Sequence, residues 1–194
     1  VCFLVGDVTG KGVPASLFMA LSKALARSLL VRPATPLDVA VREINAELAR
    51  DNRQAMAVSV LVGVLHPGDG TLELCCAGHE NPLVADGRGG VRELELRGGP
   101  PLCAAPWFPY AIETHRLEPG ELLVAFTDGM TEAESPAGDL FGRARTLEAV
   151  ARAGQAGSAA AAVDALVAVV REFEAGGEPS DDLTVLAVRR RDVA

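Results

Sequence analysis

The middle of this 194-residue chain has the periodicity of β-strands, and this stretch limits the folds that the chain can adopt. Apolar side chains recur at every second position, as a half-buried strand requires, at Val58, Val60, Val62 and Val64. The run His66-Pro67-Gly68-Asp69-Gly70 provides a tight turn, and alternation resumes at Leu72, Leu74 and Cys76. The sequence therefore predicts an antiparallel hairpin over residues 57–77.

Helical patterns lie on both sides of this hairpin. Val13-Pro14 predicts the start of a helix over 13–32, because proline is favoured in the first turn. Leucines at every fourth position predict its apolar stripe, namely Leu17, Leu21, Leu25 and Leu29. Further helices are predicted over 36–52, 141–153 and 159–173. Short strands are predicted over 1–7, 82–85, 91–96, 111–117, 121–127 and 183–188.

The order of these elements distinguishes a parallel α/β fold from an antiparallel α+β fold. Two helices, a strand meander, two more helices and a strand do not alternate as they would in a parallel, doubly wound fold. The order instead predicts one α+β domain over 1–194, with antiparallel sheets and helices packed on their outer faces.

Charge and cysteine content exclude several functions. The chain has 18 Lys and Arg against 26 Asp and Glu, a formal net charge of −8. This balance argues against binding to nucleic acid or to an anionic membrane, and no apolar run approaches the roughly 20 residues that span a bilayer. The four cysteines form no CxxC pair, so we predict buried free thiols and a cytoplasmic location; they are Cys2, Cys75, Cys76 and Cys103.

Carboxylates lie at the ends of three apolar segments: Asp7, Asp128 and the pair Asp181-Asp182. An acid among buried residues is costly to ionise unless a positive charge compensates it. If the three segments converge at one edge of the sheets, their repulsion calls for a cation, and oxygen ligands favour Mg²⁺ or Mn²⁺. The alternative, that each acid only caps a turn or the following helix, stays open on this pattern alone.

The segment from Gly6 to Gly12 also raises the possibility of a P-loop nucleotide site. Strand, glycine-rich loop and helix is the context of that motif. However, only Asp7, Val8 and Thr9 separate the first two glycines, where a P-loop needs four residues, and Gly12 stands where a hydroxyl should bind magnesium. We keep this reading as a minor alternative.

Four motifs follow one another along the chain: GDVTGKGVPA at 6–15, AGHENP at 77–82, TDGMTEA at 127–133 and DDLT at 181–184. Phe141-Gly142 follows the third of them. Together they resemble the SpoIIE-like branch of the PPM (protein phosphatase 2C) superfamily, and the resemblance covers essentially the whole chain.

This resemblance implies a manganese- or magnesium-dependent serine/threonine protein phosphatase. The implied fold is an αββα sandwich, two packed antiparallel β-sheets flanked by α-helix pairs. By motif match, Asp7 would bridge two metal ions, Val8 would offer its backbone carbonyl, and Asp128 and Asp181 would complete the first metal's ligands. Asp182 is a further candidate ligand. The ions would activate a bridging water to attack the phosphorus.

The resemblance also implies what surrounds the domain. The family carries a further acidic strand motif upstream of the first one, and this chain starts after it, so we expect an incomplete second metal site. The expected substrate is a phosphorylated anti-sigma factor antagonist, and a sensor domain is expected in the full-length protein. A homodimer and a catalytically impaired interaction domain remain open alternatives. His79 is expected to shape a turn rather than bind metal, while Lys11 either contacts phosphate or is solvated.

Overall fold

The computed structural model describes residues 1–32, 35–50, 52–177 and 181–191. Contacts within the chain divide it into two compact units, Val1–His79 with Leu96–Arg116, and Glu80–Glu95 with Leu117–Ala194. Over these described ranges, each unit contains one four-stranded antiparallel sheet and one pair of α-helices. The predicted α+β class with antiparallel sheets is confirmed.

The first unit is built around the predicted hairpin. Its sheet has the order β1-β2-β3-β6, and its elements are β1 (Cys2–Val8), α1 (Val13–Leu30), α2 (Leu37–Arg50), β2 (Val58–Leu65), β3 (Thr71–Ala77) and β6 (Glu113–Arg116). In the hairpin Val62 pairs with Cys75, and on its other edge β2 pairs antiparallel with β1. β1 is an edge strand of this antiparallel sheet, whereas the P-loop strand is part of a parallel sheet, so the topology argues against the nucleotide-site alternative.

The second unit follows the same plan. Its sheet has the order β5-β4-β7-β8, and its elements are β4 (Leu83–Ala85), β5 (Val91–Glu93), β7 (Leu122–Phe126), α3 (Gly142–Ala153), α4 (Ala159–Glu174) and β8 (Val185–Arg189). Every residue of β7 is buried, because this strand lies between β4 and β8 in the interior of the sheet. Phe126 packs there with Met130, Phe141 and Leu166.

Element boundaries differ from the predictions by a few residues. Helix α1 ends at Leu30 rather than at 32, and α2 covers Leu37–Arg50 within the predicted 36–52, of which residue 51 lies outside the described part of the chain. The last strand begins at Val185, two residues after the predicted start. Helix ends fray and the outer pairs of a short strand are weak, so periodicity alone does not fix these limits.

The apolar stripe predicted for α1 is only partly right. Leu29 is buried, but Leu17 and Leu21 are 66% and 56% exposed. Positions four apart advance about 40° around a helix with 3.6 residues per turn, so a strict four-residue stripe turns away from the core. The buried face instead follows mixed three- and four-residue steps, through Ala15, Phe18, Ser22, Ala26 and Leu29.

Within the described ranges, α1 is the one helix that is long and apolar enough to cross a bilayer. Its 18 residues have a mean hydropathy of 1.3, and 28% of that window is buried. A helix that packs in a protein core meets the same criteria, and Phe18, Ala26 and Leu29 of α1 pack in the core of the first unit.

A buried asparagine attaches the loop before β6 to α2. Asn45 is fully buried, its side-chain amide donates to the carbonyl of Ala105 at 2.9 Å, and its carbonyl oxygen accepts from the amide of Cys103 at 2.7 Å. Cys103 has a positive φ of 73°, which a cysteine rarely adopts without such support. The loop carries Trp107, which is 82% exposed.

All four cysteines are free thiols, as predicted, although not all are buried. Cys75 and Cys76 are buried in β3, Cys103 is half-buried and Cys2 is exposed. Burial raises the pKa of the Cys75 thiol to about 12, so it stays protonated and unreactive near neutral pH.

Candidate functional site

Asp7 and Val8 end the first strand of the first unit. Asp7 lies opposite Ser59 and Val8 opposite Val58 in the β1–β2 ladder. The Asp7 side chain is half-buried, whereas Val8 is packed in the core. The backbone carbonyl is the one group of Val8 that could act as a ligand, and its role at a metal stays a prediction.

The loop after β1 is tied down at Thr9 before it turns into α1. The amide of Thr9 donates to the carbonyl of Ala57 at 2.9 Å, and the Thr9 hydroxyl accepts from the amide of Ala57 at 2.9 Å. Gly10 and Gly12 follow with positive φ values, and Lys11 lies exposed between them. These contacts hold the chain close behind Asp7.

Asp128 begins a short turn at the end of β7. The turn is a 3₁₀ helix over Asp128–Met130, and the carbonyl of Asp128 accepts from the amide of Glu132 and the hydroxyl of Thr131. The backbone carbonyl of Asp128 is thus already hydrogen-bonded within the turn. Its half-buried carboxylate is the group that could bind a metal ion.

Thr127 brings the Asp128 turn and the Asp181-Asp182 segment together. Its hydroxyl donates to the carbonyl of Asp182 at 3.0 Å and accepts from the amide of Thr184 at 3.0 Å. Its own amide donates to the carbonyl of Thr184 at 3.1 Å. Thr127 itself is 2% exposed. The acidic segments at the end of β7 and the start of β8 are therefore neighbours.

Gly129 allows these two segments to approach this closely. A Cβ atom at this position would lie 2.9 Å from the carbonyl carbon of Asp182, closer than real side chains come. The Asp181 carboxylate in turn accepts from the amide of Asp182 at 2.8 Å, which fixes the start of the segment.

The five predicted ligands are divided between the two units. Asp7 and Val8 belong to the first, and Asp128, Asp181 and Asp182 belong to the second. Among the described residues, no group of three or more His, Cys, Asp or Glu side chains stands ready to hold a metal. That Asp7 meets Asp128 and Asp181 around a metal stays a prediction.

From the sequence, no role was assigned to Thr127, Gly129 or Ser59. The first two lie in the TDGMTEA motif, whereas Ser59 lies in none of the four motifs. Ser59 is a polar residue between Val58 and Val60 of β2, and this polarity is the one sign in the sequence that its side chain could make a hydrogen bond. Its hydroxyl lies 3.1 Å from Nδ1 of His79, a partner that the sequence did not indicate.

Removing the Thr127 hydroxyl is expected to loosen the two acidic segments. In Thr127→Val the carbonyl of Asp182 and the amide of Thr184 lose their partner, so the free energy of unfolding should fall by about 1 kcal/mol. Thr127→Ser keeps the hydroxyl and should retain most of the stability. Urea denaturation of both variants measures the difference, and equal stabilities would contradict this role.

Known proteins resemble this chain over nearly its whole length. Residues 1–191 match the family described as Stage II sporulation protein E (SpoIIE). This chain belongs to the SpoIIE family. Among curated proteins it is similar to Protein IcfG of Synechocystis, with 27% identity over 96% of this chain but only 33% of that protein. It thus spans about a third of this relative.

Solved structures agree on the fold of this SpoIIE-family chain. It is similar to the RsbU and RsbW domains of Rv1364c from Mycobacterium tuberculosis, at 24% identity and a TM-score of 0.81, over 98% of this chain and 51% of that one. It is also similar to the SiaA-PP2C domain of Pseudomonas aeruginosa, at 22% identity and a TM-score of 0.79, over 97% and 74% of the two chains. The fold is therefore that of PP2C-type phosphatase domains, as the motifs implied.

Proposed function

We propose that this chain is a metal-dependent phosphatase domain that hydrolyses phosphoserine or phosphothreonine on a regulatory protein. Membership of the SpoIIE family supports the activity class. The structural observation that carries the proposal is the junction at Thr127, which holds the Asp128 turn beside the Asp181-Asp182 segment. Two acidic segments kept this close repel each other, and a bound cation relieves that repulsion.

The donor groups of the candidate site fit a hard divalent cation. Every candidate ligand offers oxygen, from the carboxylates of Asp7, Asp128, Asp181 and Asp182 and from the backbone carbonyl of Val8. Oxygen-only sets suit Mg²⁺ and Mn²⁺ better than zinc or copper, which take nitrogen and sulfur. Such ions lower the pKa of bound water and neutralise phosphoryl oxygens.

The chain's own residues would prepare this site before any ligand binds. Thr127 fixes the spacing of the two acidic segments of the second unit, and Gly129 leaves room for their close approach. Thr9 holds the loop behind Asp7 in the first unit. Preorganised ligands lose less freedom on binding, so these three contacts favour metal affinity.

The substrate and the cellular setting are part of the same proposal. A phosphorylated anti-sigma factor antagonist is the substrate that the family resemblance implies, and a covalently attached sensor domain would control its access. RsbU and RsbW domains occur together in the Rv1364c structure that this chain resembles. A cytoplasmic location accords with the four free thiols.

Metal removal tests the proposal directly. With Mn²⁺ at about 100 times its dissociation constant, we expect hydrolysis of p-nitrophenyl phosphate and a stability increase of about 2.7 kcal/mol. A chelator should abolish both, and added Mn²⁺ should restore them. Stabilisation by Mn²⁺ without hydrolysis would instead favour the catalytically impaired interaction domain. Absence of both effects would refute the metal site.

A further inference from the structure

The stretch of chain that contains α1 is basic, in contrast to the rest of the molecule. Between Asp7 and Asp38 the sequence has no acidic residue, although the whole chain has a net charge of −8. The same stretch contains four basic residues: Lys11, Lys23, Arg27 and Arg32. The net charge, which argued against contact with an anionic membrane, therefore does not describe this part of the surface.

The outward side of α1 is apolar. At about 100° per residue, Val13, Leu17, Leu21 and Ala24 fall within an arc of about 80° on the helix, and we call these four residues the outer face of α1. Val13 is 73% exposed, and Leu17 and Leu21 are also more than half exposed. A helix that is apolar on all sides is normally buried, so so much exposed aliphatic surface marks a site of interaction.

The apolar surface continues beside the helix. Leu17 and Leu21 form one side of an open groove, which Leu25, Leu48 at the end of α2 and Met56 also line. Contiguous exposed apolar surface of this kind is typical of places where a protein contacts another macromolecule or a membrane. The charges around it therefore decide which of these fits.

Cations flank the outer face of α1. Lys23 and Arg27 are exposed and lie on one side of it, within about 80° of Val13 around the helix. Arg32 lies beyond the end of the helix, where it pairs with the exposed Glu43 at 3.4 Å. The complementary surface is therefore anionic. A second copy docked face to face does not supply it, because α1 carries no acidic residue to meet these cations.

The side chains of this surface favour a lipid partner over a protein partner. The exposed polar groups of α1 besides its cations are Ser16 and Ser28, and the Ser16 hydroxyl already donates to the carbonyl of Gly12 at 3.1 Å. A protein partner is usually fixed by aromatic anchors and by about one hydrogen bond per 100–200 Å². A bilayer requires neither, since aliphatic side chains enter its acyl boundary while Lys and Arg contact its headgroups.

We propose that the outer face of α1 binds the surface of an anionic phospholipid bilayer. The helix lies parallel to that surface, with Val13, Leu17 and Leu21 at the boundary between headgroups and acyl chains and with Lys23 and Arg27 at the lipid phosphates. It does not cross the bilayer, because its opposite side packs in the core of the first unit. This attachment does not depend on the proposed phosphatase activity.

Sedimentation of the full chain with lipid vesicles tests the proposal. We expect the chain to pellet with phosphatidylcholine vesicles that contain about 30% phosphatidylglycerol, and to stay in solution with pure phosphatidylcholine. Binding should weaken as salt is added, because the Debye length falls from about 10 Å at 0.1 M to about 3 Å at 1 M ionic strength.

Two variants separate the apolar and the charged contributions. Leu17→Glu should weaken binding to the anionic vesicles by about 30-fold, because it removes an aliphatic side chain from the lipid and adds a repelled charge. Lys23→Gln should weaken it by about 5-fold. Leu140→Glu is the matched control, since Leu140 is 51% exposed but lies in the second unit, and it should bind like the unaltered chain. Thermal unfolding of each variant shows that the fold is retained.

Several results would overturn the proposal. They are no binding to the anionic vesicles, equal binding to neutral and anionic vesicles, and equal binding of Leu17→Glu and the unaltered chain. If the chain bound no vesicles but formed a dimer that Leu17→Glu converts to a monomer, the outer face of α1 would be an interface between copies and the membrane assignment would be wrong.

Discussion

Asp128→Asn is expected to lower the metal-dependent hydrolysis of p-nitrophenyl phosphate by about 1,000-fold. The amide keeps the shape of the carboxylate but removes its charge, and the electrostatic stabilisation at such centres amounts to several kcal/mol. The turn should survive the change, because its hydrogen bonds at this residue use the backbone carbonyl of Asp128. Steady-state rates with saturating Mn²⁺ measure the loss.

Glu148→Gln is the matched control for this variant. Glu148 is an exposed carboxylate on α3 in the same unit, so the same change of charge there should leave the rate within about 2-fold, as expected for a surface site. Asp7→Asn should reproduce the loss seen for Asp128→Asn. An Asp128→Asn enzyme that retained most of its rate would remove Asp128 from the proposed site.

Phe126→Ala should have the largest effect on stability, a loss of about 4 kcal/mol in the free energy of unfolding. The ring is fully buried at the end of β7, packed with Met130, Phe141 and Leu166, and its removal leaves a cavity that a central strand cannot collapse to fill. Urea denaturation followed by circular dichroism gives the value.

Trp107→Ala provides the comparison, since it removes an even larger ring. Trp107 is 82% exposed, so its loss should cost about 0.5 kcal/mol or less. If Phe126→Ala and Trp107→Ala had the same free energy of unfolding, the packing described around Phe126 would be wrong. A large loss in Trp107→Ala would mean that the exposed ring has a stabilising contact elsewhere.

The hairpin and the helix pairs could be predicted because their signals are local. The valine alternation and the turn at His66–Gly70 specify β2 and β3 without reference to the rest of the chain. The face of α1 could not be predicted in the same way. Its leucines satisfy a four-residue spacing that rotates around the helix, and packing in the core of the first unit selects Phe18 and Ala26 instead.

The role of the acidic residues as metal ligands stays a prediction, and the contacts that hold their segments could not be predicted from the sequence. A carboxylate at the end of an apolar segment is visible in the sequence, as at Asp128. The bond from Thr127 to Asp182 joins residues 55 positions apart and exists because β7 pairs with β8. The bond between Ser59 and His79 likewise depends on the β2–β3 register.

Asn45 couples the position of the loop before β6 to the position of helix α2. The loop with Trp107 and the helix α2 are joined through the two bonds of this one side chain. A molecule that displaced the loop would have to pull the helix with it or break both bonds in a buried setting.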